Sequence, residues 1–295
     1  MLYCQAILPG LSTGMGNKLF PWARCKIFAK LNNGVMLTPR WSQLALGSLL
    51  RGTPRFYHNL FVTGRNELRG FQKMKASLLT RKMKEPETFQ WNERDNQDVL
   101  VQFEGMSSFF ERLVGWENFL LEELRHITHP QWLQIADQSH SPVIGMHIRL
   151  GDFQKIQSQE DLHAKGGVRT PLSWFANSLS LARELLGYEA PATIFSDGSA
   201  TELSDLLNMK KVSIQDSGSP IGDLLILSRS SILLASGGST FSAWASFFGR
   251  MPTFSVPGQS LSWYKLNSPE QPYQGILDPS APSPECVDSI KSAFP

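Results

Sequence analysis

The sequence predicts an α/β protein made of two domains with mostly parallel sheets. Two observations support this prediction. Short apolar runs alternate with helical patterns over residues 143–256, which is typical of βαβ units in a doubly wound sheet. The N-terminal region begins in the same way, with an apolar run at residues 2–8 and a glycine-bearing turn before an amphipathic segment. We therefore expect one domain over residues 1–138 and a second over residues 139–295.

In the first domain, apolar residues at helical spacing follow the turn. They are Phe20, Ala23, Ile27 and Leu31. Pro21 is expected in the first helical turn, where no N–H partner is needed. An Asn-Asn-Gly run at residues 32–34 ends this helix, and residues 35–37 form a second strand. Residues 40–104 are only weakly patterned, and we interpret their charged runs as solvated loops and surface helices.

A helix is predicted at residues 116–127. In the second half of the chain, predicted strands and helices alternate more clearly. The expected strands cover residues 143–148, 192–196, 231–235 and 252–256. The expected helices cover residues 171–186, 199–208, 222–229 and 241–248. Beyond Gln259, closely spaced prolines predict a largely irregular tail.

Composition narrows the class of protein. A net charge of +2 and a pI near 8.4 are too mild for a nucleic-acid-binding surface. Three widely separated cysteines do not suggest a disulfide framework or a metal site, and they favour a reducing compartment. The short apolar N-terminus is broken by Pro9 and is read as neither signal peptide nor anchor, and no later segment has the length of a membrane span. We expect a soluble cytoplasmic protein; peripheral contact with the inner face of a membrane and the oligomeric state stay open.

Polar residues follow three of the predicted strands, where ligands bind in open α/β sheets. The first cluster, residues 147–152, reads His-Ile-Arg-Leu-Gly-Asp. A guanidinium at a strand end, such as that of Arg149, is suited to a diphosphate because its planar fork pairs with phosphate oxygens. Gly151 allows a sharp turn and close ligand approach. The alternative is an Arg149–Asp152 ion pair that only fixes the turn.

The other two clusters follow later strands. Asp197 ends a Phe-Ser-Asp run, where its carboxylate either accepts hydrogen bonds from a base or ribose or caps the next helix. Residues 236–244 read Ser-Gly-Gly-Ser-Thr-Phe-Ser-Ala-Trp. A glycine turn with hydroxyls at a helix start is an anion cradle, and the alternative is a simple capped turn. The phosphate-binding lysine and the dinucleotide glycine spacing are missing, so neither an ATPase nor an NAD enzyme is supported.

Four motifs occur in a fixed order: Gly-Met-Gly-Asn at residues 14–17, His-Ile-Arg-Leu-Gly-Asp at 147–152, Phe-Ser-Asp at 195–197 and Ser-Thr-Phe-Ser-Ala-Trp at 239–244. In this order they resemble the family 11 glycosyltransferases, the α-1,2-fucosyltransferases, within the wider group of GDP-fucose-dependent enzymes. The similarity spans roughly residues 2–256. The resemblance implies a GT-B architecture, in which two Rossmann-like domains with mostly parallel sheets face a central cleft.

The resemblance also implies an inverting, metal-independent transfer of fucose from GDP-fucose to a galactose-like hydroxyl of a glycan. Arg149 would bind the β-phosphate and stabilise the leaving group, His147 would orient the site or contact the nucleotide, and Asp197 would lie near the guanosine. The first residues of a helix would lie around the phosphates. They are Ser239, Thr240 and Phe241. The turn that carries Gly16 and Asn17 would face the cleft near the sugar and the acceptor.

The sequence departs from the family pattern at three positions. Leu150 stands where the family has a second arginine, Gly198 where it has a second aspartate, and Ala245 where it has a second tryptophan. These departures leave open another GDP-sugar as donor. Two alternatives from other classes also stay open: a non-catalytic nucleotide-sugar or glycan-binding protein, and an unrelated Rossmann-like enzyme such as a nucleotide-dependent hydrolase.

An inverting transfer ordinarily needs a base to take the acceptor proton. Four residues after Arg149 are candidates. They are Asp152, Glu160, Asp161 and His163. We favour solvated loop positions for the last three. A dissociative transfer, in which the departing phosphate acts as the base, would need none of them.

Overall fold

A computed structural model describes residues 1–10, 13–41, 59–91, 97–155, 161–162, 167–266 and 274–294. The chain divides into two compact units, Met1–Pro130 and Gln131–Pro295. The sequence prediction put the domain boundary after residue 138, eight residues later. The two boundaries differ because of helix α4 (Pro130–Gln138). Apart from its first residue, this helix belongs to the second unit.

The first unit is built on a parallel five-stranded sheet. Its elements are β1 (Leu2–Ile7), α1 (Met15–Leu31), β2 (Val35–Leu37), β3 (Glu67–Leu68), α2 (Gly70–Leu79), β4 (Arg81–Lys84), β5 (Val99–Glu104) and α3 (Glu117–Ile127). The strands lie in the order β3-β2-β1-β5-β4. Their parallel order, with crossover connections, agrees with the predicted α/β class.

Helix α1 begins earlier than predicted. It starts at Met15, so Gly16 and Asn17 belong to its first turn and Pro21 lies inside the helix instead of at its start. Burial stabilises the helix despite the proline, because Leu19, Phe20, Trp22, Ala23, Ile27 and Phe28 are all fully buried. Arg24 is also buried, and its Nε donates to a carboxylate oxygen of Glu85 at 2.9 Å.

The weakly patterned segment contains more regular structure than its charges indicated. Strand β5 is buried at four of its six positions and pairs with β1 along its whole length. Strand β4 is basic, reading Arg-Lys-Met-Lys, and occupies the sheet edge, where charged side chains remain in solvent. The interpretation of the charged runs as solvated loops and surface helices is therefore correct for α2 and wrong for strand β3, while β4 and β5 are strands that the weak pattern did not predict.

The second unit contains a parallel six-stranded sheet. After α4 its elements are β6 (Ile144–Ile148), α5 (Leu172–Leu186), β7 (Ala192–Ser196), α6 (Ser204–Leu207), β8 (Val212–Ile214), α7 (Pro220–Leu227), β9 (Ile232–Ala235), α8 (Thr240–Gly249), β10 (Thr253–Ser255), β11 (Gln274–Ile276) and α9 (Pro284–Ser292). The strands lie in the order β11-β10-β9-β6-β7-β8. All five residues of β6 are buried, as expected for a central parallel strand.

Three parts of this unit differ from the prediction. Strand β8 falls at residues left unassigned, and α6 covers only the end of the helix expected at residues 199–208. The tail also contains regular structure, strand β11 and helix α9. The start of α9 has a local cause: Ser283 caps the helix through Cys286 N at 3.3 Å and is followed by a proline at the first helical position.

Cys4, Cys25 and Cys286 are buried free thiols. Burial raises the pKa of the Cys4 thiol to about 12, so its reactive thiolate is disfavoured. Among the described residues, none of the helices is both long and apolar enough to cross a bilayer.

Candidate functional site

The central strands of the second unit bring two of the polar clusters and Asp197 to one edge of the sheet. In the parallel pairing, His147 lies opposite both Phe195 of β7 and Ala235 of β9. The three strands therefore end side by side at the carboxyl edge. The residues that follow them are neighbours in space, although they are separated by up to about ninety positions in sequence.

Arg149 is the centre of this cluster. Its Nη1 lies 2.6 Å from Asp197 Oδ2, and its Nη2 lies 2.7 Å from Asp152 Oδ1. The Arg149 side chain is 29% exposed, Asp152 68% and Asp197 10%. The backbone N–H of Arg149 donates to Ser236 Oγ at 2.9 Å, which ties the end of β6 to the end of β9. The guanidinium therefore reaches solvent from a fixed backbone position.

Asp197 holds both the side chain of Arg149 and the turn after it. Its Oδ1 accepts hydrogen bonds from the N–H groups of Leu150 at 2.8 Å and Gly151 at 3.0 Å, while its Oδ2 pairs with Arg149. Burial by itself raises the pKa of this carboxyl. The Arg149 guanidinium, the two N–H groups and His147 outweigh burial and lower the pKa below its ordinary value. Asp197 is therefore an ionised carboxylate whose two oxygens are both used by the protein.

His147 connects β6 to the start of helix α8. Its Nδ1 lies 2.6 Å from Ser242 Oγ, and its ring stacks on Phe241 with centroids 4.7 Å apart and planes at 23°. The side chain is only 6% exposed. These contacts fix the imidazole against the first turn of α8.

The connection from β9 to α8 forms the predicted glycine turn. Gly238 has φ +68°, a left-handed conformation that favours glycine, and Ser239 is the N-cap of α8. Thr240 and Phe241 are the first residues of the helix. A helix start with exposed N–H groups attracts anions, so this turn and Arg149 place two anion-binding features at one sheet edge.

Gln259 packs beneath this turn. It is 6% exposed, its Oε1 accepts a hydrogen bond from Thr170 Oγ1 at 2.6 Å, and its Nε2 donates to Val168 O at 2.9 Å. A Cβ on Gly237 would lie 2.2 Å from Gln259 Cβ. The turn can approach Gln259 this closely only because residue 237 is glycine.

We expect Gly237→Ala to destabilise the protein by roughly 1–3 kcal/mol, the usual cost of overpacking a well-packed site. The clash is with the first side-chain carbon of Gln259, which cannot swing away. Urea unfolding measures the change. Gly198→Ala is the comparison variant, because its Cβ would meet Leu150 Cδ1 at 2.4 Å. The end of a side chain can shift more than the Cβ of Gln259, so we expect a smaller loss of stability. Equal losses of unfolding free energy in the two variants would contradict the close contact between Gly237 and Gln259.

The departures from the family pattern have structural counterparts. Leu150 is 4% exposed and packs in the hydrophobic core of the second unit, and Ala245 is fully buried within α8. Leu150 also occupies the space next to Gly198. Two of the three positions at which the sequence departs from the pattern that it resembles, 150 and 245, are therefore core positions in this chain.

The remaining predicted residues lie elsewhere or outside the described residues. Gly16 and Asn17 lie in the first turn of α1 in the first unit, where Asn17 N donates to Gly14 O at 3.2 Å. Asp161 lies in the short described stretch 161–162, while Glu160 and His163 fall outside the described residues. In the described part of the chain, His, Cys, Asp and Glu side chains form no group of three that could hold a metal ion.

Sequence reasoning missed three residues that support the site. Ser236 and Ser242 lay inside the recognised motifs without an assigned role, so their hydroxyl groups were an available signal. Gln259 had no sequence signal, because its contact with Gly237 depends on how the chain returns after β10.

The comparisons with known proteins identify the fold. No protein-family model and no curated protein match this sequence. Among solved structures, the NodZ α-1,6-fucosyltransferase soaked with GDP-fucose is similar, with a TM-score of 0.51 and 15% identity over 88% of this chain and 96% of that chain. The same enzyme co-crystallised with GDP gives a TM-score of 0.52, again with 15% identity over 88% and 96%. These likenesses confirm the predicted α/β fold of the GT-B type, with its two parallel sheets.

Proposed function

We propose that this protein is a glycosyltransferase that binds GDP-fucose at the carboxyl edge of the second sheet and transfers the fucose to a glycan hydroxyl. The observation that carries the proposal is the Arg149–Asp197 pair beside the start of α8. It presents a guanidinium and helical N–H groups where a nucleoside diphosphate would bind in an α/β sheet. The fold shared with the NodZ structures supports the same proposal.

In this proposal Arg149 stabilises the leaving group. The acceptor hydroxyl attacks the anomeric carbon of the sugar, and the bond from that carbon to the β-phosphate oxygen breaks. The electron pair stays on GDP, where a fixed guanidinium is already in place for the added charge. Asp197 stays buried under Arg149, while the more exposed Asp152 gives up its contact to the diphosphate.

The surrounding residues orient the donor. Ser239, Thr240 and Phe241 would place the helical N–H groups of α8 against the phosphates, and His147 would hold Phe241 and the start of the helix in position. The acceptor proton goes to Asp152 or to a departing phosphate oxygen. A contact of Gly16 and Asn17 with the sugar and the acceptor is part of the proposal that depends on the sequence motif alone. We further propose that the transfer inverts the anomeric configuration and needs no bound metal. The acceptor would be a galactose-like hydroxyl, joined in α-1,2 linkage.

One observation favours a second candidate, a protein that binds a GDP-sugar without transferring fucose. The guanidinium of Arg149 is already paired with two carboxylates, and Leu150 adds no second positive charge at the site. Such a site attracts a diphosphate less strongly than one with two arginines. GDP binding without consumption of GDP-fucose across a panel of glycan acceptors would favour this candidate.

Nucleotide-dependent thermal stability tests the proposal. We expect GDP, in the presence of EDTA, to raise the Tm, because a ligand at about 100 times its Kd adds about 2.7 kcal/mol of stability. With an unfolding entropy of about 2.1 cal/mol/K per residue over 295 residues, this corresponds to a rise in Tm of about 4 °C. GMP lacks the β-phosphate, so it should stabilise less and serves as the control. No Tm shift with GDP would exclude the donor site, and a shift that requires Mg²⁺ would exclude the metal-independent form.

A further inference from the structure

The outer face of helix α2 in the first unit carries an exposed apolar stripe. Phe71, Met74 and Leu78 follow one another at steps of three and four, so they lie on one side of the helix, with Leu79 at its margin. Their exposed fractions are 73%, 50%, 71% and 74% in chain order. Phe71, Leu78 and Leu79 are the three most exposed large apolar side chains of the described residues. Several such side chains on a single helix face mark an interaction surface.

The helix is attached to the sheet by its opposite face. Ala76 is 5% exposed and packs against Leu37 and Leu100, and Lys73 Nζ donates to Thr38 O at 2.5 Å. The small side chain of Ala76 lets the helix lie close to the sheet. The apolar stripe is therefore the outward face of a docked helix.

The segment that contains the stripe is strongly basic. Residues 65–84 hold seven of the 28 basic residues of the chain and one of the 26 acidic residues, a net charge of +6, while the rest of the chain carries −4. The single acidic residue, Glu67, has a side chain only 1% exposed and pairs with Lys26 at 2.9 Å. The positive charge is thus uncompensated inside its own segment.

The basic side chains are exposed around the stripe. Those in the exposed class are Arg65, Arg69, Lys75, Arg81, Lys82 and Lys84. Lys75 lies on the outer face of α2 between Phe71 and Leu78, while Lys82 and Lys84 belong to edge strand β4, which follows α2 directly. Lys75 thus lies beside the apolar stripe on the same helix face, and Lys82 and Lys84 are exposed on the next element of the chain; we call these exposed side chains together the α2–β4 surface.

We propose that the α2–β4 surface docks this protein onto an anionic lipid bilayer. Phe71, Met74 and Leu78 would enter the boundary between headgroups and acyl chains, and the lysines and arginines would meet the lipid phosphates. A second copy of the chain fits less well, because a two-fold contact would set two surfaces of +6 against each other. A nucleic acid would use the charges but leave the apolar stripe in water.

Vesicle sedimentation tests the proposal with the whole chain. We expect the protein to pellet with phosphatidylcholine vesicles that contain phosphatidylglycerol, and much less with phosphatidylcholine alone. Binding should weaken as salt is raised, because the Debye length falls from about 30 Å at 0.01 M to about 3 Å at 1 M. Failure to pellet with the anionic vesicles overturns the proposal.

Paired variants separate the two contributions. Phe71→Ser with Leu78→Ser should lower vesicle binding about tenfold or more, because the apolar insertion is lost. Lys75→Glu with Lys82→Glu should lower it by a similar factor at low salt and by less at high salt. The matched controls lie in the second unit: Tyr188→Ser with Ile276→Ser for the apolar change, and Lys210→Glu with Lys291→Glu for the charge change. Equal losses in the test and control pairs overturn the proposal.

Further measurements test whether a variant is unfolded and whether the α2–β4 surface binds a second copy of the chain or a nucleic acid instead of a bilayer. Thermal unfolding must stay cooperative in every variant, and the apolar pair of substitutions is repeated as Phe71→Ala with Leu78→Ala if the serine variant does not fold. A dimer in light scattering that is lost in the serine variant, without vesicle binding, would show self-association and overturn the proposal. So would binding of a nucleic acid that needs the lysines but not Phe71 and Leu78, without vesicle binding. None of these readouts depends on GDP, so the outcome is independent of the proposed transferase activity.

Discussion

Replacing Arg149 with alanine is expected to lower the turnover of GDP-fucose by roughly a thousandfold, in line with the loss of a fixed donor to a developing negative charge. The affinity for GDP should fall less, by about 10- to 100-fold, because one charge-assisted contact is lost in the ground state. The difference arises because the charge on the β-phosphate grows as the sugar leaves. Initial rates and GDP titration by calorimetry measure the two effects separately.

Two further variants sharpen this experiment. Arg149→Lys keeps the charge but removes the planar fork that pairs with two carboxylates, so we expect it to recover only part of the lost turnover. Lys210→Ala removes one positive charge from an exposed position of the same unit and should behave as the wild type. Turnover by Arg149→Ala at the wild-type rate would remove Arg149 from the mechanism.

Asp197→Ala is expected to destabilise the protein by about 2–4 kcal/mol and to weaken GDP binding as well. The variant leaves Arg149 without its more buried partner and two N–H groups without an acceptor. Asp197→Asn keeps an oxygen for the N–H groups of Leu150 and Gly151 but removes the charge, so its loss of stability should be smaller. Chemical unfolding and GDP calorimetry measure the two quantities.

The matched control for charge removal is Asp152→Asn. It makes the same chemical change in the other partner of Arg149, but at a side chain 68% exposed, so we expect a stability change of about 0–1 kcal/mol. Equal destabilisation by Asp152→Asn and Asp197→Asn would contradict the view that the buried carboxylate holds Arg149.

Asp197 also predicts an acid dependence of stability. Its pKa is lower in the folded protein than the ordinary value of 3.8, so its contribution is fully present above that value and is lost as the pH falls toward the folded pKa. The loss therefore begins below about pH 4. In Asp197→Asn this part of the acid dependence should disappear, which unfolding free energies measured at a series of acidic pH values will show. An unchanged acid profile would contradict the lowered pKa.

The sequence predicted well the elements whose burial follows a simple period. Strands β6, β7 and β9 are nearly continuous apolar runs, and their positions match the prediction within about one residue. It failed where neighbouring elements supply the stabilisation. Strand β4 is a basic strand that, among the described residues, pairs in the sheet with β5 alone, and no local pattern in Arg81–Lys84 predicts this pairing.

The same division applies to the candidate site. From the residue types of the His-Ile-Arg-Leu-Gly-Asp segment and of the Ser-Gly-Gly-Ser-Thr turn, we expected polar side chains at the carboxyl edge of a parallel sheet, and they lie there. The anion site itself stays a prediction. The residue types were not enough to say what each carboxylate does. Asp152 was the nearer candidate in sequence, yet it is the exposed and weaker partner of Arg149.

What the sequence by itself determined is the α/β class, the central strands of the second sheet and the chemistry gathered at its edge, because each is written in local periodicity and residue type. What only the tertiary structure decided is the pairing of Arg149 with Asp197, the support of Gly237 by Gln259 and the exposed basic and apolar α2–β4 surface. Each of these features depends on residues that are far apart in sequence and that the strand order and the crossover connections bring together. Their hydrogen bonds and their burial therefore depend on how the whole sheet is folded.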